Sequence, residues 1–367
     1  MSRFSMRAAL VSGVVTIAAG AATTADAGSY AGNPYSPTSY HVYRHGVVPT
    51  VETWQKMHDW AALNPGIAAA TGPDTLSFGG GIDGIGVTSG TPKVYLVVYG
   101  SQWGTAGTDS NGNVTLSKDT KGMLPRVQQM LKGLGTGSES WSGTMTQYCD
   151  GSLVATGATS CPSGAPHVGY PTGGALAGVW YDNSVASPSA ASGHQLANEA
   201  IRAASHFGNT TAESNRFAQY VVISPPGGNP DHYKTNGFCA WHDYNGDTSL
   251  SGGAAASNFG DIAFTNLPYL TDVGASCGAS FVNRGSAGAL DGVTIVEGHE
   301  YAETLSDQNP GGGWINFSSG EENGDECAWI TSGQGASADV TMGNGSYPMQ
   351  STWSNDTNRC DISHAIL

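Results

Sequence analysis

Six cysteines, Cys149, Cys161, Cys239, Cys277, Cys327 and Cys360, are the strongest constraint on what this chain can fold into. Their number is even and none forms a Cys-x-x-Cys pair, so a thiolate zinc site is disfavoured and three cross-links are expected if the chain matures in an oxidising compartment. The N-terminus meets that condition. A basic start (MSRFSMR) precedes an apolar run (AALVSGVVTIAAGAA) and a small-x-small ending (Ala25-Asp26-Ala27). This is the layout of a secretory signal peptide cleaved after Ala27. The apolar run is too short and too rich in Ala and Gly for a good membrane span. Spacing along the chain favours nearest-neighbour pairing: Cys149–Cys161, Cys239–Cys277 and Cys327–Cys360.

Three segments follow. Residues 1–27 are the expected signal peptide, 28–91 an N-terminal extension or propeptide ending in a Gly-rich linker, and 92–367 a single catalytic-type domain. About 340 residues remain after cleavage, ample for a large core. Only 12% of the chain is charged and its formal charge is −15, with no basic cluster. Nucleic acid and anionic membranes are therefore poor partners. A polypeptide substrate and a monomeric, extracellular, periplasmic or wall-associated protein are expected instead.

Alternation in KVYLVVY (93–99) predicts a strand, and GALAGVWYDNS (174–184), Gln219–Ser224 and GDIAFTNLPYL (260–270) predict others. The 3.6-residue period predicts helices in TWQKMHDWAAL (53–63), LPRVQQMLKGLG (124–135) and SGHQLANEAIRAASHFGN (192–209). A further helix in LDGVTIVEGHEYAETLSD (290–307) should place Val293, Val296 and Leu305 on its apolar side. This mixture points to an α/β fold, with α+β as the alternative: a mixed sheet with packed helices, braced by disulfides.

That last helix carries His-Glu-x-x-Glu, His299 to Glu303, where zinc proteases carry His-Glu-x-x-His. Positions i and i+4 share a helix face, so the His299 imidazole and the Glu303 carboxylate can grip one ion. Glu300 stands beside that ion, where a general base takes a proton from an activated water. The third ligand is expected from the acidic loop GEENGDECAWI, with Glu322 ranked first, Asp325 second and Asp307 third. Asp325 can instead hold His299 through its other ring nitrogen. Zinc is the expected cation, although two carboxylates and one imidazole make a harder donor set than two imidazoles. His242, in FCAWH, is a further candidate, to polarise a carbonyl or to bind the metal.

The stretch from Val293 to Trp329 resembles a bacterial branch of the phosphate-induced, or exordium-like, secreted proteins. The matching positions are His299, Glu300, Glu303, Asp307, Glu322, Asp325 and Cys327. Phe238 to His242 and the opening strand PKVYLVVYGSQW match as well. Gln308 departs from the family's usual Pro, and members vary at the Glu303 position. The resemblance implies an extracellular or wall-associated protein, and plant members are linked to growth signalling.

Weaker patterns complete the reading. Asp243, Asn245 and Asp247 alternate as in a calcium loop, but Gly at position 6 and Glu at position 12 are missing. DSNGNVTLSKD (109–119) reads as an Asn-Gly hairpin. His206 and Glu199 read as structural and surface residues of one helix. A secreted metal-dependent endopeptidase is the leading expectation. Its rivals are a metal-independent glutamic or aspartic-type carboxyl peptidase, which would use the same acids, and a non-enzymatic exordium-like wall or signalling protein.

Overall fold

The structure is a computed structural model that describes residues 33–39, 41–64 and 75–367. The expected signal peptide lies outside the described residues. Six strands form the main sheet: β1 (His45–Pro49), β2 (Lys93–Tyr99), β3 (Leu176–Asp182), β4 (Ala218–Ile223), β5 (Phe238–Tyr244) and β6 (Ala263–Leu267). Their spatial order is β1-β5-β6-β4-β2-β3. From β6 to β3 all neighbours are parallel, whereas β5 runs antiparallel to both β6 and β1. The mixed sheet and α/β class match the expectation.

Each face of the sheet has its own apolar core. In β2, Val94, Leu96 and Val98 join one core, while Tyr95, Val97 and Tyr99 join the other, as the two-residue period of a strand dictates. Helix α3 (Gly193–His206) covers the second face. Ser192 and Gln195 close a capping box at its start, and Leu196, Ala197, Ala200, Ala203 and Ala204 form its buried stripe. Helix α1 (Val51–Leu63) begins at a Thr50 cap directly after β1. Helices α2 (Met123–Gly133) and α4 (Asp291–Ser306) belong to the first face.

Helix α4 is the structural centre. Every one of its residues is buried. It lies against β5, β1 and β6 on one side and against α2 and the hairpin strand β8 (Gly345–Met349, paired with β7, Ala338–Met342) on the other. An apolar face of Val293, Val296 and Leu305 alone is therefore too narrow a description. The polar residues of this helix are enclosed as well.

Strand β1, from the expected extension, is an edge of the main sheet. Just before it, buried Arg44 donates to Asp231 (Nε to Oδ2, 2.6 Å), and Tyr43 donates to the same carboxylate (2.8 Å). The three disulfides are Cys149–Cys161, Cys239–Cys277 and Cys327–Cys360, as spacing predicted. They fit an oxidising compartment. Among the described residues, no helix is long and apolar enough to cross a membrane.

Candidate metal centre

Helix geometry brings His299 and Glu303 together, with Nε2 of the imidazole 2.9 Å from Oε2 of the carboxylate. The other nitrogen of His299 is set by a residue that belongs to no motif. Its Nδ1 lies 3.2 Å from Oε1 of Gln350, whose Nε2 donates to the Gly324 and Ser351 carbonyls. That leaves the Nε2 edge of His299 facing carboxylates. Asp325 is on this same edge, with Oδ1 3.5 Å from Nε2. Asp325 is expected either as a ligand or as the holder of the second ring nitrogen. Gln350 has that place because the acidic loop approaches His299 from the Glu303 side.

The two oxygens of Glu303 have different surroundings. Oε1 accepts from the backbone N–H groups of Gly324 (3.1 Å) and Asp325 (2.9 Å), which fastens the acidic loop to the helix. Oε2 faces the ring of His299 and that of His242.

His242 arrives from β5, opposite α4. It pairs in register with Thr265, whose side chain meets Gln219 on the α4 side of the sheet. The ring is fully buried and neither nitrogen has a hydrogen bond. Glu300 Oε2 is 3.4 Å from Nδ1 and Glu322 Oε2 is 3.5 Å from Nε2. Gly46 of β1 makes this approach possible. The register of β1 against β5 shifts between His45 and Val48, and Gly46 adopts a left-handed φ of 50°. A Cβ at that position would run into Glu303 Oε2 and the His242 ring.

Asp307, the third-ranked ligand, is engaged elsewhere. Its two oxygens accept from the N–H groups of Gly311 and Gly313 and shape the glycine turn after the helix. Glu322 and Asp325 both reach the centre, each beside a different histidine.

Burial dominates the electrostatics. It pushes Glu303 up to about 7, reinforced by Asp325, and raises Glu300 and Glu322 well above the usual carboxylate range. His242 is lowered to about 3 by burial, with His45 and His299 adding to it. Burial would also lower His299, but Glu303 and Asp325 outweigh it and hold the imidazole well above its ordinary value. Among the described residues, no lysine or arginine forms an ion pair with Glu300, Glu303, Glu322 or Asp325; their ionic neighbours are the two histidines.

Buried polar atoms are nearly always hydrogen-bonded. Here both nitrogens of His242, both oxygens of Glu300 and Oε2 of Glu322 are orphaned together, while Nε2 of His299 and Oε2 of Glu303 face each other. This donor set of imidazole nitrogen and carboxylate oxygen suits a divalent cation. One cleft, lined by Gly46, Val47, Trp54, Glu322, Asp325 and Ala328 among others, borders the cluster at its loop side.

The remaining candidates lie apart from this centre. Asp243 points to the opposite face of β5, where it gathers with His45 and Asp247. Asn245 is committed to the Ile262 N–H and the Ala255 carbonyl, and both Asp247 oxygens accept from Ser249. Asp109 closes a hairpin between Ala106–Thr108 and Val114–Leu116. His206 stacks on Trp180. Glu199 is buried rather than on the surface, 2.9 Å from Arg202, which also reaches Asp182 at 2.6 Å. No protein-family model, curated protein or solved structure matches this chain.

Proposed function

We propose that this chain is an exported, metal-dependent endopeptidase. A divalent cation, zinc in the first instance, would be held by His299 and Glu303 together with the loop acids Glu322 and Asp325. The observation that carries this reading is the convergence, on the buried His299–Glu303 pair, of unpartnered nitrogens and oxygens from His242, Glu300 and Glu322. Such a cation supplies Lewis acidity toward a carbonyl and acidifies a water. Gln350 keeps the free edge of His299 turned toward the centre. Glu300 offers two unpaired oxygens beside it and is the general base of the proposal. A polypeptide is the substrate class proposed for the cleft that passes β1 and the acidic loop. Export is supported by the three disulfides, and the exordium-like resemblance agrees with it.

The deciding experiment is casein cleavage with and without a chelator, alongside metal analysis of the purified protein. Bound zinc and chelator-sensitive cleavage are expected. Glu300→Gln should keep its metal and lose turnover by about 10²–10⁴-fold or more; full activity in that variant refutes the assignment of the base. The burial that raises Glu300, Glu303 and Glu322 favours one second reading, a metal-free carboxyl peptidase. Cleavage that survives chelation and peaks in acid would select it. Neither metal nor cleavage would leave a non-enzymatic, exordium-like role.

A further inference from the structure

We propose that the centre holds two divalent cations, with Glu303 shared between them. This rests on the metal-dependent reading above and extends it in the number of ions and in the role of His242.

The ligand atoms fall into two triads. One joins His299, Glu303 and Asp325, and the other joins His242, Glu303 and Glu322. Within each triad, one donor atom per residue lies within 4.8 Å of the others. Each triad offers one imidazole nitrogen and two carboxylate oxygens, a donor set suited to zinc or manganese. Glu303 is the only residue common to both. Its Oε1 is held by two backbone N–H groups, so Oε2 is the atom left to share. That oxygen lies 2.9 Å from His299 Nε2 and 3.8 Å from His242 Nδ1, between the two imidazoles. Ions bridged in this way stand about 3.5–4 Å apart.

His242 is the independent observation. A single ion at the His299 triad leaves its fully buried ring with two orphaned nitrogens. A second ion at Glu322 resolves both. One ring nitrogen would then face the ion and the other would donate to the carboxylate beside it, Glu300 at Nδ1 or Glu322 at Nε2, the usual arrangement of carboxylate, histidine and metal.

The test uses the purified protein stripped by chelator and reloaded with Mn²⁺. Bound metal is counted by mass spectrometry, and the electron paramagnetic resonance spectrum is recorded. Two ions per chain and the multiline signal of an exchange-coupled pair are expected. Glu322→Gln and His242→Ala should each reduce the count to one and replace the coupled signal by that of an isolated ion. Glu322 sits on the loop, so its variant decides the matter if His242→Ala does not fold, as judged by circular dichroism. One ion per chain in the unmodified protein, with an uncoupled spectrum, overturns the two-ion centre and leaves the metal-dependent reading intact. No bound ion of any kind overturns both.

Discussion

His299 and Gln350 are 51 residues apart in sequence, yet Nδ1 of the one lies 3.2 Å from Oε1 of the other. The Gln350 amide cannot usefully turn over, because its Nε2 donates to two backbone carbonyls. Oε1 only accepts, so the proton of a neutral His299 sits on Nδ1 and the lone pair on Nε2. Gln350→Leu removes this control with little change in volume. Metal affinity should fall by about 10–100-fold. Stability should drop by about 1–3 kcal/mol, since the Gly324 carbonyl loses its partner. A competition titration with a chromophoric chelator and a thermal melt measure the two effects. Unchanged affinity would mean that Gln350 does not orient the ring.

Gly46 yields a second prediction, with a control inside the same chain. Gly46 and Gly84 both have positive φ, 50° and 82°. An alanine at Gly84 would meet nothing within 4 Å, whereas at Gly46 it would strike Glu303 and His242. Gly84→Ala should therefore show only the backbone cost, about 1–2 kcal/mol, with metal binding intact. Gly46→Ala should lose more stability than this and lose metal binding as well. Equal melting temperatures and equal metal content in the two variants would refute the idea that β1 is moulded around the centre.

The pattern of what could be read in advance follows from range. Strand β2 and helix α3 declare themselves through their own periods, and the disulfides through spacing. The His-Glu-x-x-Glu motif is local to one helix, so His299 and Glu303 were readable as partners. Strand β1 was not, because HGVVP contains a glycine and a proline and is held in the sheet by a distorted register with β5. FCAWHDY stood out as a motif while its role as an antiparallel strand stayed hidden, since that depends on flanking strands far away in sequence. Gln350 has no motif at all; only the folding of β8 against α4 brings it to His299. The polar residues of α4 look like a solvated face by composition, and the sheet on one side with α2 and β8 on the other buries them.

Glu199 makes a pH prediction independent of the metal. Burial pushes its carboxyl up to about 8, helped by its hydrogen bond to Asp182 and opposed by Arg202. An unfolded chain would release this proton near the ordinary value of 4.5. Between those two values the folded chain holds a proton that the unfolded chain has lost, so this group subtracts stability as pH rises through the window. The slope it contributes is at most about 1.4 kcal/mol per pH unit. Glu199→Gln keeps a donor for Asp182 and cannot ionise. The variant should melt close to the unmodified protein at about pH 5 and clearly higher at about pH 8. Parallel melting curves across that range would show that Glu199 does not titrate this way.

The Cys327–Cys360 bond should matter more to the centre than to the fold at large. Cys327 ends the short turn Asp325–Cys327, and Cys360 lies in the strand Arg359–Asp361, which pairs with Thr352–Ser354 just after Gln350. The bond thus ties the loop bearing Glu322 and Asp325 to the segment bearing Gln350, a link strengthened by the Trp353 N–H donating to the Asn323 carbonyl (2.7 Å). Its sequence separation is 33, against 12 for Cys149–Cys161, whose segments contribute no residue to the centre. Loop entropy alone predicts losses of about 4 and about 3 kcal/mol when each bond is removed by paired Cys→Ser changes. The two variants should therefore differ little in melting temperature. Metal affinity should separate them: Cys327→Ser with Cys360→Ser frees two ligands and the residue that orients a third, while the Cys149 and Cys161 pair leaves all of them in place. Titration of both variants with Zn²⁺ measures this, and equal affinities would show that the acidic loop holds its position without the cross-link.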